Sequence, residues 1–216
     1  MSLSAQLSAV LEGFSQKAPP DVVKVIRESV ADFDASFQRD LTIKPGQKLP
    51  PFNLSDALGN QIRSDELLAR GPLLITFYRG EWCPYCNLAL RALQQHLDEF
   101  TAKGVTLVGI SPSLPNSSLS MTEKNDLKFQ VLSDVRNEYA KELGILFPMP
   151  DSLRPVFAQF GNDMKAFNGD DSFEVPVPAT FLVDREGVVR NAFIETDYSK
   201  RVEPSTVLGW IDSLGA

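Results

Sequence analysis

The sequence has one histidine and two cysteines in 216 residues. A closed structural zinc site takes four nitrogen or sulfur ligands, so no metal is expected. Two cysteines cannot build a disulfide-dense secreted scaffold. Basic charge is short as well. Lys and Arg number 21 against 28 Asp and Glu, a net charge of −7. The basic footprint of a nucleic-acid binder is missing. No run reaches the roughly 18 apolar residues of a membrane span. Residues 1–17 have neither a basic start nor a continuous apolar stretch, so no signal peptide and a cytoplasmic location are expected. No Gly-x-Gly-x-x-Gly follows a strand, so nicotinamide or flavin binding lacks support. What is present is ordinary for a globular chain: 43% hydrophobic and 23% charged residues.

The N-terminal part carries two helical stripes. Leu3, Leu7, Val10, Leu11 and Phe14 form the first; Val22, Val23, Ile26, Val30 and Phe33 form the second, after Pro19-Pro20. Residues 1–43 read as a helical extension: a cap on the main domain, or alternatively a dimer arm. From residue 44 the pattern changes. Two short strands are expected around Gly59-Asn60, then a helix with Ser64 as its N-cap. Leu73–Tyr78 reads as a strand buried on both faces. A helix is expected from Pro84 to about Ala102, then strands over Val105–Ile110 and Phe129–Leu132. Asp134 should cap a helix running to about Leu143. Residues 145–175 hold three prolines and five phenylalanines without a clear period. They read as an insertion whose aromatics pack on one another, with a substrate-facing rim as the alternative. Ala179–Asp184 and Val188–Ile194 should pair as a hairpin with Gly187 at positive φ, and Pro204–Leu214 should close the domain as a helix. Strands alternating with helices imply an α/β domain over residues 44–216.

Both cysteines fall in Trp82-Cys83-Pro84-Tyr85-Cys86, between the buried strand and the next helix. Cys83 is expected at the N-cap, with Pro84 at the first helical position. The positive helix end would then stabilise a Cys83 thiolate, and the thiolate is the nucleophile. Cys86 continues the apolar stripe of Ala89, Leu90 and Leu93, and is placed to attack a mixed disulfide on Cys83. Two inert structural cysteines are the plain alternative. Around the motif, Arg79 is either a cation for a thiolate or a solvent-facing residue at a strand end. Glu81 reads first as an exposed carboxylate, second as a proton relay. Tyr85 could donate a hydrogen bond or stack on a substrate. Trp82 covers the site. His96 reads as a boundary residue and a poor general base.

Glu81-Trp82-Cys83-Pro84-Tyr85-Cys86 resembles the thioredoxin superfamily. Val177-Pro178 followed by ATFLVDREGVV resembles that superfamily's cis-proline segment, which would face the cysteine pair. The stretch PGQKLPPFNLSDALGNQIRSDELL looks like the first segment of peroxiredoxins. Residues 44–214 together resemble the peroxiredoxin-like branch of the alkyl hydroperoxide reductase and thiol-specific antioxidant family. The resemblance implies a thioredoxin-like fold with a central mixed sheet. It implies a peroxidase whose cysteine pair cycles between dithiol and disulfide. It implies no bound cofactor, an external thiol such as thioredoxin or glutathione as reductant, and a possible homodimer. The family pattern Pro-x-x-x-Thr/Ser-x-x-Cys is not kept. Aligned on the preceding Phe-Tyr, the peroxide-attacking cysteine falls on Cys86, the Thr on Cys83, the Pro on Arg79 and a partner Arg on Pro178. Aligned on the motif, the nucleophile is Cys83, with Gly80 and Thr76 at the other two positions. Thioredoxin's buried Asp is replaced by Phe77. A thiol–disulfide oxidoreductase and a redox-sensing interaction module are therefore the other two readings.

Overall fold

The computed structural model describes residues 1–215. The extension is two helices, α1 (Leu3–Lys17) and α2 (Pro20–Ser36). The domain follows with β1 (Asn53–Asp56), β2 (Gln61–Arg63), α3 (Ser64–Leu68), β3 (Leu73–Phe77), α4 (Pro84–Gln95), α5 (Leu97–Ala102), β4 (Thr106–Ser111), α6 (Pro115–Lys124), β5 (Gln130–Ser133) and α7 (Glu138–Glu142). The chain ends through β6 (Leu146–Pro148), α8 (Arg154–Gln159), α9 (Met164–Asn168), β7 (Glu174–Pro176), β8 (Ala179–Val183), β9 (Val189–Ile194) and α10 (Pro204–Leu214).

Seven strands form one mixed sheet in the order β2-β1-β5-β4-β3-β8-β9. β3, β4 and β5 run parallel; β8 and β9 add antiparallel on one side, β1 and β2 on the other. β3 and β8 are buried at every residue, as a strand covered on both faces must be. Side chains alternate across the sheet. Ile75, Phe77, Val108, Ile110 and Phe181 therefore pack in one layer, and Leu74, Leu107, Val131 and Leu182 in the other. The extension joins both layers. Phe33 of α2 packs into the first, and Leu3 and Leu7 of α1 into the second, beside α4. Glu203 anchors α1 at its start by accepting from the Leu3 and Ser4 amides.

Four expectations need correction. The helix after Pro84 breaks at His96, whose φ of −106° and ψ of 8° leave helical space. His96 closes α4 by donating its N–H to Leu93, and opens α5 by accepting from Phe100. Ser64 is no N-cap; it lies inside α3, and its hydroxyl accepts from the Phe52 amide. Residues 145–175 are ordered into α8, α9 and a two-stranded sheet of β6 and β7, so the missing period reflects short elements. The N-cap of α7 is Asn137 rather than Asp134, but the Asp134 carboxylate reaches past that turn to accept from the Tyr139 and Ala140 amides, 2.9 Å each. Gly187 takes φ +77° in the β8–β9 hairpin.

Candidate active site

The chain leaves β3 at Phe77 and reaches α4 through Arg79, Gly80, Glu81, Trp82 and Cys83. Gly80 makes that path possible. Its φ is +141°, and a Cβ there would stand 2.5 Å from the Trp82 Nε1, a close approach open only to glycine. Cys83 is the N-cap of α4 and Pro84 follows it, as its missing N–H suits that position. Asn87 fixes the turn from inside α4. Its amide donates to the carbonyls of Glu81, 2.8 Å, and Cys83, 2.9 Å, and its oxygen accepts from Asn125.

Cys83 and Cys86 are free and buried, with their sulfurs 2.7 Å apart. The negative charge belongs on Cys86. Burial by itself would raise its pKa. The hydrogen bond from the Cys83 thiol, the Arg201 charge, the Arg79 backbone N–H and the Arg79 charge outweigh burial, and the pKa falls to about 5. Arg201 donates from Nη2 to the Cys86 sulfur at 3.0 Å. Its Nη1 is held by the Tyr198 and Lys200 carbonyls, 2.7 Å each. Burial, reinforced by the charge on Cys86, pushes the Cys83 thiol up. This reverses the expectation drawn from the helix end. The Cys83 side chain accepts no cap hydrogen bond from the first-turn amides, while the Cys86 sulfur accepts directly from the Arg201 guanidinium.

Arg79 is buried, 5% exposed, and so not a solvent-facing residue. Its guanidinium lies 5.0 Å from the Trp82 ring and 5.4 Å from the Tyr198 ring. Its Nη2 touches the Met149 thioether at 3.2 Å, and its Nε has no partner. Trp82 packs edge-on against Phe157 of the insertion, and Tyr85 edge-on against Tyr198. Glu81 turns away from the sulfurs to accept from Ser120 at 2.6 Å. His96 contacts Glu99, outside the site.

Pro178 departs from expectation. No cis peptide bond occurs among the described residues, in keeping with the ordinary trans preference. The Val177 N–H donates to Ile145 and the Pro178 carbonyl accepts from Glu195. Both groups are committed within the fold and are not free to pair with a substrate. Neither residue lines the cavity at the cysteines.

That cavity, of about 350 Å³, is lined by Cys83, Arg79, Trp82 and Tyr85 from the motif. Its walls come from both additions to the domain: Phe14 and Val30 of the extension, Phe157 and Phe160 of the insertion. Of the insertion's five phenylalanines, Phe147, Phe157 and Phe160 line this cavity, and Phe157 also packs edge-on against Phe173. The sequence reading missed Arg201, Tyr198 and Met149. No spacing rule ties them to the motif, since each lies more than 60 residues beyond it. Among the described residues no group of three or more metal-binding side chains forms. No helix there is long and apolar enough to cross a membrane.

Comparison with known proteins agrees with this frame. Peroxiredoxin Bcp of Escherichia coli (strain K12) is 25% identical over 169 residues, 78% of this chain and 96% of that protein. The crystal structure of peroxidoxin BcpB from Mycobacterium tuberculosis superposes with a TM-score of 0.62 at 20% identity, covering 80% of this chain and 98% of that one. Reduced Prx3 from Vibrio vulnificus in complex with hydrogen peroxide gives a TM-score of 0.63 at 21% identity, covering 79% and 99%. These likenesses establish the peroxiredoxin form of the thioredoxin fold. The AhpC/TSA family matches residues 45–192, more than half of the sequence and the whole cysteine motif, and the chain belongs to that family.

Proposed function

We propose that the protein is a thiol peroxidase in which Cys86 attacks the peroxide and Cys83 resolves the product. The observation that carries this reading is the Cys86 sulfur held between the Cys83 thiol at 2.7 Å and the Arg201 guanidinium at 3.0 Å. A thiolate so placed is charged at neutral pH and is the nucleophilic form. Family membership supports the same choice, because the alignment on Phe77-Tyr78 puts the peroxide-attacking cysteine at Cys86.

The cycle balances. The Cys86 thiolate attacks one peroxide oxygen; the S–O bond forms and the O–O bond breaks. The leaving alkoxide or hydroxide takes the Cys83 proton. The resulting Cys83 thiolate attacks the Cys86 sulfenic acid, the S–S bond forms, and hydroxide leaves to become water. The buried Arg79 and Arg201 oppose the negative charge that develops on the departing oxygen. Met149 and the rings of Trp82 and Tyr198 hold Arg79 in place. An external thiol then reduces the disulfide.

The test uses hydrogen peroxide on single variants with a sulfenic-acid trap. Cys83→Ser should accumulate trapped Cys86; Cys86→Ser should react only at the rate of an ordinary thiol. The opposite pattern would move the nucleophile to Cys83.

A second reading has an observation of its own: Cys83, not Cys86, lines the cavity, which suits thiol–disulfide exchange. A fast reaction with oxidised glutathione and a slow one with hydrogen peroxide would select it.

A further inference from the structure

Three features of the cavity at Cys83 bear on how the disulfide is reduced after the peroxide step. First, it is lined by the resolving sulfur, although the nucleophilic sulfur is 0% exposed. Second, Arg79 brings a buried cation to its wall. Among the described residues that cation has no carboxylate partner, and its Nε donor is unsatisfied. In the dithiol the Cys86 thiolate answers part of that charge; once the disulfide forms that anion is gone, and a buried charge left without one is costly. Third, the space is about 350 Å³, at the small end of ligand-sized sites. Phe14 and Val30 wall it from one side and Phe157 and Phe160 from the other. Cys83 is 1% exposed and is met from within this cavity, which favours a small thiol over one carried on the surface of another fold.

We propose that this cavity binds a low-molecular-weight thiol bearing a carboxylate, which pairs with Arg79 while the thiol reduces the Cys83–Cys86 disulfide by attacking Cys83. The inference rests on the disulfide of the cycle above. In the first step the thiolate forms a bond to the Cys83 sulfur, the S–S bond breaks, and Cys86 leaves as a thiolate beside Arg201. That cation makes Cys86 the better leaving group, since the sulfur with the lower pKa departs faster. In the second step another molecule of the thiol attacks the bound thiol's sulfur. The mixed disulfide breaks, the small disulfide departs, and Cys83 leaves as a thiolate and takes a proton.

The test starts from protein oxidised with diamide, so it does not depend on peroxide as oxidant. Reduction is followed by tryptophan fluorescence with 3-mercaptopropionate and with its methyl ester. Each rate is divided by that thiol's rate with a free small-molecule disulfide. The acid should show saturation and a normalised rate at least about tenfold above the ester, the scale of one ion pair's differential binding. Arg79→Gln should bring the two thiols to parity. Val30→Trp, which fills the cavity from α2, should abolish saturation with the acid, and it guards against a misfolded Arg79 variant. Equal normalised rates for acid and ester, saturation that survives Val30→Trp, or thioredoxin outrunning the acid at equal concentration would overturn the proposal. Failure of hydrogen peroxide to form the disulfide would instead remove the peroxidase reading and leave this one standing.

Discussion

The two sulfurs of one short motif sit in opposite surroundings. Cys83 faces an apolar cavity walled by aromatic side chains, and burial pushes its thiol up. Cys86, one helical turn further, has no open face and accepts a hydrogen bond from Arg201; the Arg201 and Arg79 charges reach Cys83 as well, but burial outweighs them there. Position on the helix would favour charge at Cys83, because free amides and the dipole act at the first turn. A guanidinium in direct contact outweighs them. An ion in hydrogen-bond range of a buried sulfur acts through a low local dielectric, whereas the dipole contributes only a partial charge. The resolving sulfur is thereby left at the cavity and the charged one is kept beneath it.

This contrast can be broken in order of effect. Cys86→Ser should abolish peroxide-driven disulfide formation, while Cys83→Ser should keep the first step and lose only the disulfide; mass spectrometry after one equivalent of hydrogen peroxide reads both. Arg201→Ala should raise the pKa of the reactive thiolate by about 1–2 units, the scale of losing a contacting opposite charge. Oxidation should then slow about two- to tenfold more at pH 6 than at pH 9, where the loss of Arg201 opposite the departing oxygen remains as a slowing independent of pH. Thiolate absorbance near 240 nm against pH measures the shift directly.

The redox state should reshape the pH dependence of stability. Cys86 has a folded pKa near 5, below the roughly 8.5 of an unfolded cysteine. A group with a depressed folded pKa binds more protons when unfolded between those values, so stability rises with pH there. The reduced protein should therefore lose stability as pH falls from 8 toward 5, by thermal melting. The disulfide form, with no thiol to titrate, should lack that slope.

Two smaller effects sharpen the cavity side. Gly80→Ala should displace the Trp82 indole and cost about 1–3 kcal/mol, since a Cβ clash adds to strained backbone. Denaturant melts and the fluorescence maximum would show both. Phe157→Ala should cost about 1 kcal/mol through loss of its edge contacts with Trp82 and Phe173, and should shift the Trp82 emission to the red. An unchanged spectrum would mean that the insertion does not shield the site.

Local signals in the sequence reached far. The apolar run at Leu73–Phe77, the proline after Cys83 and the Gly187 turn each stand where expected, because each depends on neighbours in the chain. The His96 break was not legible. A single residue that closes one helix and opens the next looks like any polar residue at the edge of an apolar stripe. The 145–175 segment was legible only as irregular, since its strands of three residues are too short to show a period.

The sequence by itself determined the alternation of strands and helices and the placing of both cysteines at one strand-to-helix junction. Those follow from periodicity and from chemistry within a few residues. Only the tertiary structure decided which sulfur carries the charge and which lines the cavity. Arg201 meets Cys86 across 115 residues of chain, and the cavity at Cys83 exists only where the two N-terminal helices and the insertion close over the sheet. Pairings of that separation are set by the packing of the whole core, and no local pattern encodes them.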